Sequence, residues 1–276
     1  MRAFLALLAF LHHAGVPTER VAIPGLEGVT LEAALVRPPA GVVVPAGAPS
    51  VGVVELHGCG GPFARRDGQW AVALAKAGHV VLLPDSFGSR GAGGQCRVRH
   101  RVATPNRLRR QDAIEAATWL THQPGVPAGG VALMGFSNGG STVLTTAAAR
   151  PDLPPGLFTR FVALYPGCSA RLRNPRWAPS GPMLILIGQN DDWTPAAPCE
   201  ALAKRFPGRI RLVVYPGAWH DFDAPADPVH VMQGLSQTPG NVGHAHAGNN
   251  PSAQASALAL VPVFLSLQGD ALASPR

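Results

Sequence analysis

Charge is scarce in this chain, and negative charge scarcest. Only 14% of the 276 residues are charged, and 16 Asp and Glu stand against 23 Lys and Arg, a formal net charge of +7. No long polar tract breaks up the apolar residues, which make up 46% of the chain, so an intrinsically disordered chain is excluded. No internal repeat is present, which excludes a solenoid or propeller. The apolar run from Ala3 to Leu11 is too short to span a bilayer, and no other segment reads as a membrane anchor. Zinc-finger, basic-zipper and aromatic RNA-binding patterns are missing, which sets nucleic acid aside as a partner. His244 and His246 form a pair that could suggest a metal, but no cluster of Cys or carboxylates supports it, so no metal is expected.

What is present points to an ordered globular chain. The length suits one domain with a full core, expected over residues 16–276. The 32 Gly and 28 Pro lie between apolar runs and read as turns. Residues 1–15 have the layout of a short export signal: Arg2, the apolar run, then Ala14 and Gly15. His12 stands where a small residue is expected before a cleavage site, and the alternative is a helix packed on the domain. The basic excess is local. Between Asp85 and Asp112 there is no acid, while Arg90, Arg97, Arg99, Arg101, Arg107, Arg109 and Arg110 all fall there. They read either as a solvated loop and first helical turn or as an electropositive rim that attracts acidic substrates.

Apolar runs and breakers predict alternating strands and helices. Val21–Ile23 and Val29–Val36 read as an opening hairpin on a sheet edge. Strands are predicted at Val51–Leu56, His79–Leu83, Val131–Met134, Phe161–Leu164, Met183–Ile187 and Ile210–Val214. Helices are predicted at Asp67–Ala77, Pro105 to about His122, Asn138–Ala149, Ala196–Phe206 and Ala255–Leu267, with a Gly/Asn-rich loop around His244 and His246. This alternation implies parallel βαβ units and a doubly wound α/β sheet, whose site lies at the carboxyl ends of the strands.

Three unusual motifs fall at such ends. Gly135-Phe136-Ser137-Asn138-Gly139 lies between a strand and a helix, the context that the G-x-S-x-G nucleophile elbow requires. The small neighbours leave room for a sharp turn that projects Ser137 from the sheet. The alternative is a glycine-rich turn with an ordinary serine. A serine hydroxyl needs a base. Of the ten histidines, His220, just after the last strand, has the right place and order. Gly188-Gln189-Asn190-Asp191-Asp192 follows Met183–Ile187, and Asp191 is expected to orient His220. Asp192 is expected to accept backbone N–H groups where the next helix begins. The order Ser137, Asp191, His220 is that of α/β-hydrolases. Acyl transfer also needs oxyanion donors, expected to be the backbone N–H groups of Asn138 and of Cys59 in the His57-Gly58-Cys59-Gly60-Gly61 turn. His57 reads as a structural residue of that turn.

HGCGG, PDSFGSRG, GFSNGG, YPG, GQNDDWTP and YPGAWHDFD, spanning Val51 to Asp223, together resemble the dienelactone hydrolase family. The resemblance implies an α/β-hydrolase without a cofactor that cleaves esters or lactones. Dienelactone hydrolases proper use a cysteine nucleophile, and Ser137 in its place favours a more general esterase. The chain lacks a large lid insertion, which argues against a long-chain lipase. With that fold, Cys59–Cys96 and Cys168–Cys199 is the connectivity topology suggests for an exported enzyme. Four reduced thiols are the alternative. The expected partner is a small-molecule ester or lactone, with an anionic one favoured if the arginines act as a rim. Two other readings stay open: an acyltransferase or amidase with the same triad, and a non-catalytic anion-binding module.

Overall fold

In the computed structural model, residues 2–42, 50–127, 130–148, 150–267 and 269 are described. Ala149, the expected last residue of a helix, lies outside them, as do Met1 of the expected signal and residues 270–276 of the expected domain. One sheet carries eight strands: β1 (Thr18–Pro24), β2 (Thr30–Val36), β3 (Gly52–Leu56), β4 (Val80–Pro84), β5 (Val131–Phe136), β6 (Phe158–Leu164), β7 (Met183–Gly188) and β8 (Ile210–Tyr215). Their spatial order is β1-β2-β4-β3-β5-β6-β7-β8. The β1–β2 hairpin is antiparallel and pairs antiparallel with β4, and every pairing from β4 to β8 is parallel. This is the expected mostly parallel α/β sheet with its hairpin at one edge.

The helices are α1 (Arg2–His13), α2 (Ala64–Lys76), α3 (Leu108–Leu120), α4 (Asn138–Thr146), α5 (Ser169–Leu172), α6 (Ala196–Arg205) and α7 (Pro251–Leu265). Every residue of β3, β4, β5 and β7 is buried. Strands covered on both faces need such continuous apolar runs, which is why the runs were legible as strands. The predicted helix starts shift for identifiable reasons. In α2 the Asp67 carboxylate accepts the Phe63 N–H at 2.8 Å, which lets the helix begin before Asp67. In α7 the Asn250 side chain accepts the Ala253 N–H at 3.1 Å and Pro251 occupies the first turn, so that helix begins before Ala255.

Three sequence readings need correction or a choice. The segment around His244 and His246 is not a loop. His244–Ala247 is a strand, β10, paired antiparallel with β9 (His230–Gln233), and this small second sheet was not foreseen. Residues 2–13 form α1, whose Phe4, Leu7 and Leu11 are buried in the main core. The Phe10 ring occupies the space a side chain at Gly68 would fill, so the glycine within α2 is what lets α1 pack closely. The segment between Asp85 and Asp112 is not a uniformly solvated face. Arg109 is wholly buried, Arg90 pairs with buried Asp112 at 2.7 Å, and Arg110, itself buried, pairs with Asp152. Cys59 is bonded to Cys96 and Cys168 to Cys199, the connectivity expected of the fold. Among the described residues no helix is long and apolar enough to cross a membrane.

Candidate active site

The sharp turn between β5 and α4 sets the site. Ser137 sits there with φ 51° and ψ −108°, outside the regions that a side chain adopts freely. Such a turn brings backbone segments into contact. A Cβ on Gly135 would lie 2.6 Å from the Gly139 carbonyl carbon, and one on Gly139 would collide with the Leu56 carbonyl. Both glycines of the motif are therefore steric requirements, and the strain falls on Ser137 alone.

The structure brings Ser137, His220 and Asp191 together from three different strand ends. His220 Nε2 lies 2.8 Å from Ser137 Oγ, and His220 Nδ1 lies 2.8 Å from Asp191 Oδ2. Asp191 Oδ1 accepts the N–H groups of Trp193 at 3.0 Å and Thr194 at 2.7 Å. The Thr194 hydroxyl lies 2.9 Å from Asp191 Oδ2. That carboxylate is thus fixed from both sides, and the backbone N–H groups expected to bond Asp192 go to Asp191 instead. Asp192 reaches β10: it accepts the His246 N–H at 2.8 Å and holds His246 Nδ1 at 2.8 Å. The His220 ring lies between Trp193 and Tyr165, each with ring centroid 4.7 Å away. Burial works to lower the His220 pKa. The charge and hydrogen bond of Asp191, with Asp221 behind them, more than offset it, and the net direction is upward.

Asn138 opens α4 and Cys59 follows β3, and both line a passage of about 190 Å³ beside Ser137. Arg109, unremarkable in the sequence except as one arginine of seven, ties their two segments together. It donates to Asn138 Oδ1 at 2.6 Å and to the His57 carbonyl at 2.8 Å, under the turn that carries Cys59. Burial, with the nearby Arg109 charge, pushes the His57 pKa well down, so the ring is neutral. Its Nδ1 lies 2.8 Å from the Gly58 carbonyl and its Nε2 accepts the Ser86 N–H at 3.2 Å, a structural use.

Below the site lies a network that sequence reasoning missed. Buried Arg66 pairs with Asp67 and Asp221, each at 2.8 Å. Asp223 accepts the Tyr165 hydroxyl at 2.7 Å and the Trp70 indole N–H at 2.6 Å. Burial raises the Asp223 pKa to about 6, and raises that of Glu55 well above the carboxylate range. Among the described residues neither Glu55 oxygen has a hydrogen-bond partner, and burial disfavours its charged form. The available signal was a lone acid inside an otherwise apolar strand. A cavity of about 280 Å³ opens over Ser137 and His220, walled by Cys59, Phe63, Trp193 and, from the β9–β10 hairpin, His230 and Met232. The hairpin is docked by Asp192 and by the Gly248 N–H, which donates to the His220 carbonyl at 2.8 Å. Among the described residues no group of three or more His, Cys, Asp or Glu is placed to hold a metal.

The dienelactone hydrolase family model matches residues 39–266, which is most of the chain. The chain belongs to the dienelactone hydrolase family. Carboxymethylenebutenolidase of Rhodococcus opacus is 30% identical over 161 residues, covering 55% of this chain and 62% of the relative, so the chain spans less than two thirds of that protein. A solved dienelactone hydrolase from Anabaena variabilis superposes with a TM-score of 0.59 at 26% identity, over 76% of this chain and 90% of that one. An esterase from Pyrobaculum calidifontis superposes with a TM-score of 0.62 over 96% of this chain and 90% of that one. At 18% identity it shows the shared α/β-hydrolase fold alone. The family is named for hydrolysis of a lactone, a cyclic carboxylic ester.

Proposed function

We propose that this chain is a serine hydrolase that cleaves carboxylic esters or lactones through an acyl-enzyme on Ser137. The observation that carries the reading is the chain of contacts from Ser137 Oγ to His220 Nε2 and from His220 Nδ1 to Asp191, each step 2.8 Å. His220 takes the hydroxyl proton as Ser137 Oγ attacks the ester carbonyl. The developing oxyanion is met by the backbone N–H groups of Asn138 and Cys59, at the positive end of α4. The carbonyl–oxygen bond then breaks, His220 passes the proton to the leaving oxygen, and Ser137 holds the acyl group. Water, deprotonated by His220, attacks that acyl carbonyl and releases the acid, and the proton returns to Ser137. Asp191 fixes the imidazole tautomer and stabilises the imidazolium. The residues assign each proton a carrier without a cofactor.

Turnover of a chromogenic short-chain ester, together with a fluorophosphonate label found on Ser137 by peptide mass spectrometry, tests the reading. A folded protein that neither cleaves esters nor takes the label overturns it. Work in an oxidising compartment is a further part of the proposal, supported by the two disulfides. N-terminal sequencing of the protein recovered from its host's secreted fraction tests export and shows whether α1 is kept, as its buried face favours.

A further inference from the structure

Ser137 has two unlike sides. His220 and the β9–β10 hairpin wall the cavity of about 280 Å³. On the other side the passage of about 190 Å³ runs by Asn138, Ser141 and Gly167 to Arg101. There it joins a cleft of about 400 Å³ lined by Arg99, Arg101, Arg171 and Arg173, with no Asp or Glu among the described residues that line it. Several arginines elsewhere meet carboxylates: Arg20 with Glu32, Arg37 with Glu19, Arg66 with Asp67, Arg90 with Asp112, Arg110 with Asp152. In the cleft, among the described residues, the acceptors that Arg101 and Arg171 meet are neutral. Arg101 donates to the Gln95 carbonyl at 3.1 Å and Arg171 to Asn106 Oδ1 at 2.9 Å. Burial pushes both guanidinium pKa values down, and Arg150 adds repulsion at Arg171. Like charges gathered in a concave, partly desolvated place are relieved by an anion, and guanidinium groups suit carboxylate and phosphate.

The chemistry says which part of a substrate comes here. The leaving oxygen must receive its proton from His220 Nε2, so the alcohol part lies on the side that His220 walls. The acyl part is left the passage toward the arginines. We propose that the arginine cleft is a subsite for an anionic group at the far end of the acyl part, so that the favoured substrates are monoesters of dicarboxylic acids or acyl chains ending in phosphate. This rests on Ser137 as nucleophile, and it makes the acid product carry charge at both ends.

Phenyl esters of ω-carboxy acids of rising chain length, each against the phenyl ester of the matching monoacid, test it. At low ionic strength kcat/KM should favour the anionic ester by about tenfold or more at one chain length, the scale of a charge-assisted hydrogen bond. The ratio should shrink as salt rises. It should fall by about tenfold in the Arg99→Gln/Arg173→Gln double variant, both residues being exposed and safe for the fold. Moving the carboxylate to the phenol should give no such preference. Neutral esters cleaved as well as anionic ones, with a ratio indifferent to these arginines, overturn the subsite and leave the hydrolase reading standing. Calorimetry on Ser137→Ala with a linear dicarboxylate and with an alkyl phosphate tests the subsite without turnover. Binding of either that is lost in the arginine variant supports it, and the stronger ligand names the head group. No binding of either overturns it.

Discussion

Two histidines in this protein hold an aspartate in the same way, and the two aspartates are neighbours in the chain. His220 Nδ1 stands 2.8 Å from Asp191, and His246 Nδ1 stands 2.8 Å from Asp192. Their surroundings differ. The His220–Asp191 side chains are 1% and 0% exposed, those of His246–Asp192 36% and 39%. His220 has its second nitrogen on Ser137, whereas His246 lies against the Trp219 ring, 4.3 Å between centroids. In water an ion pair is screened and contributes little, while in a dry site the same pair changes a proton affinity strongly. The pairing motif therefore does not make a base. In the proposed mechanism burial and the Ser137 hydroxyl on the far nitrogen do, and the exposed copy serves as a strut for the β9–β10 hairpin.

The largest expected difference between the pairs is in turnover. On the proposed mechanism His220→Ala should lower kcat for a neutral ester by about 10⁴-fold or more, and Ser137→Ala should do the same, since members of a catalytic triad act as a unit. His246→Ala should cost less than about tenfold in the same assay. Comparable losses from His220→Ala and His246→Ala in folded protein would break the distinction.

Asp191→Asn should cost about 10⁴-fold in kcat with the fold intact, because the amide cannot stabilise the imidazolium or hold the tautomer. The pH profile sharpens the same point. In the proposed mechanism only neutral His220 can take the Ser137 proton, so activity should fall as pH drops through the His220 pKa. Burial alone would lower that pKa, and Asp191 reverses the direction, so the acid limb of kcat/KM should lie above the ordinary imidazole value. In Asp191→Asn the residual activity should show its acid limb at lower pH, while His246→Ala should leave the limb where it is. An acid limb unmoved in Asp191→Asn would remove Asp191 as the source of the upward direction.

Sequence reasoning reached what local pattern determines and lost what distant contacts determine. The buried parallel strands are apolar end to end, and the glycines around Ser137 are steric needs of one turn, so strands, elbow and the order Ser137, Asp191, His220 could be read from runs and spacing. His244 and His246 looked like loop residues because a short, half-exposed strand such as β10 has no apolar run. It exists through its pairing with β9 and its anchor on Asp192. Arg109 and Arg110 looked solvated because nothing local says that Asn138 and Asp152 come to meet them. Glu55 was passed over within an apolar run, since its upward pKa shift depends on burial by residues far away in the chain.

The smallest effect is expected at Asp192, where the expected role and the observed one part company. Asp192 does not cap the start of α6; its oxygens take the His246 N–H and hold His246 Nδ1, which fixes β10 beside the cavity that His230 and Met232 help to wall. Asn keeps one carbonyl oxygen for the His246 N–H and loses the charge and the second oxygen that faces His246 Nδ1. An exposed pair of this kind is worth about 0.2–1 kcal/mol, so Asp192→Asn should lower the melting temperature by no more than a few degrees. Chemistry at Ser137 is untouched, so kcat for a small ester should stay within a few-fold. The specific sign is local: amide exchange in His244–Ala247 should speed up before exchange in β7 or β8, and KM should rise more for bulky esters that reach Met232 than for small ones. Uniform exchange across the sheet, or a loss of kcat on the scale of Asp191→Asn, would mean that the two neighbouring aspartates share one task.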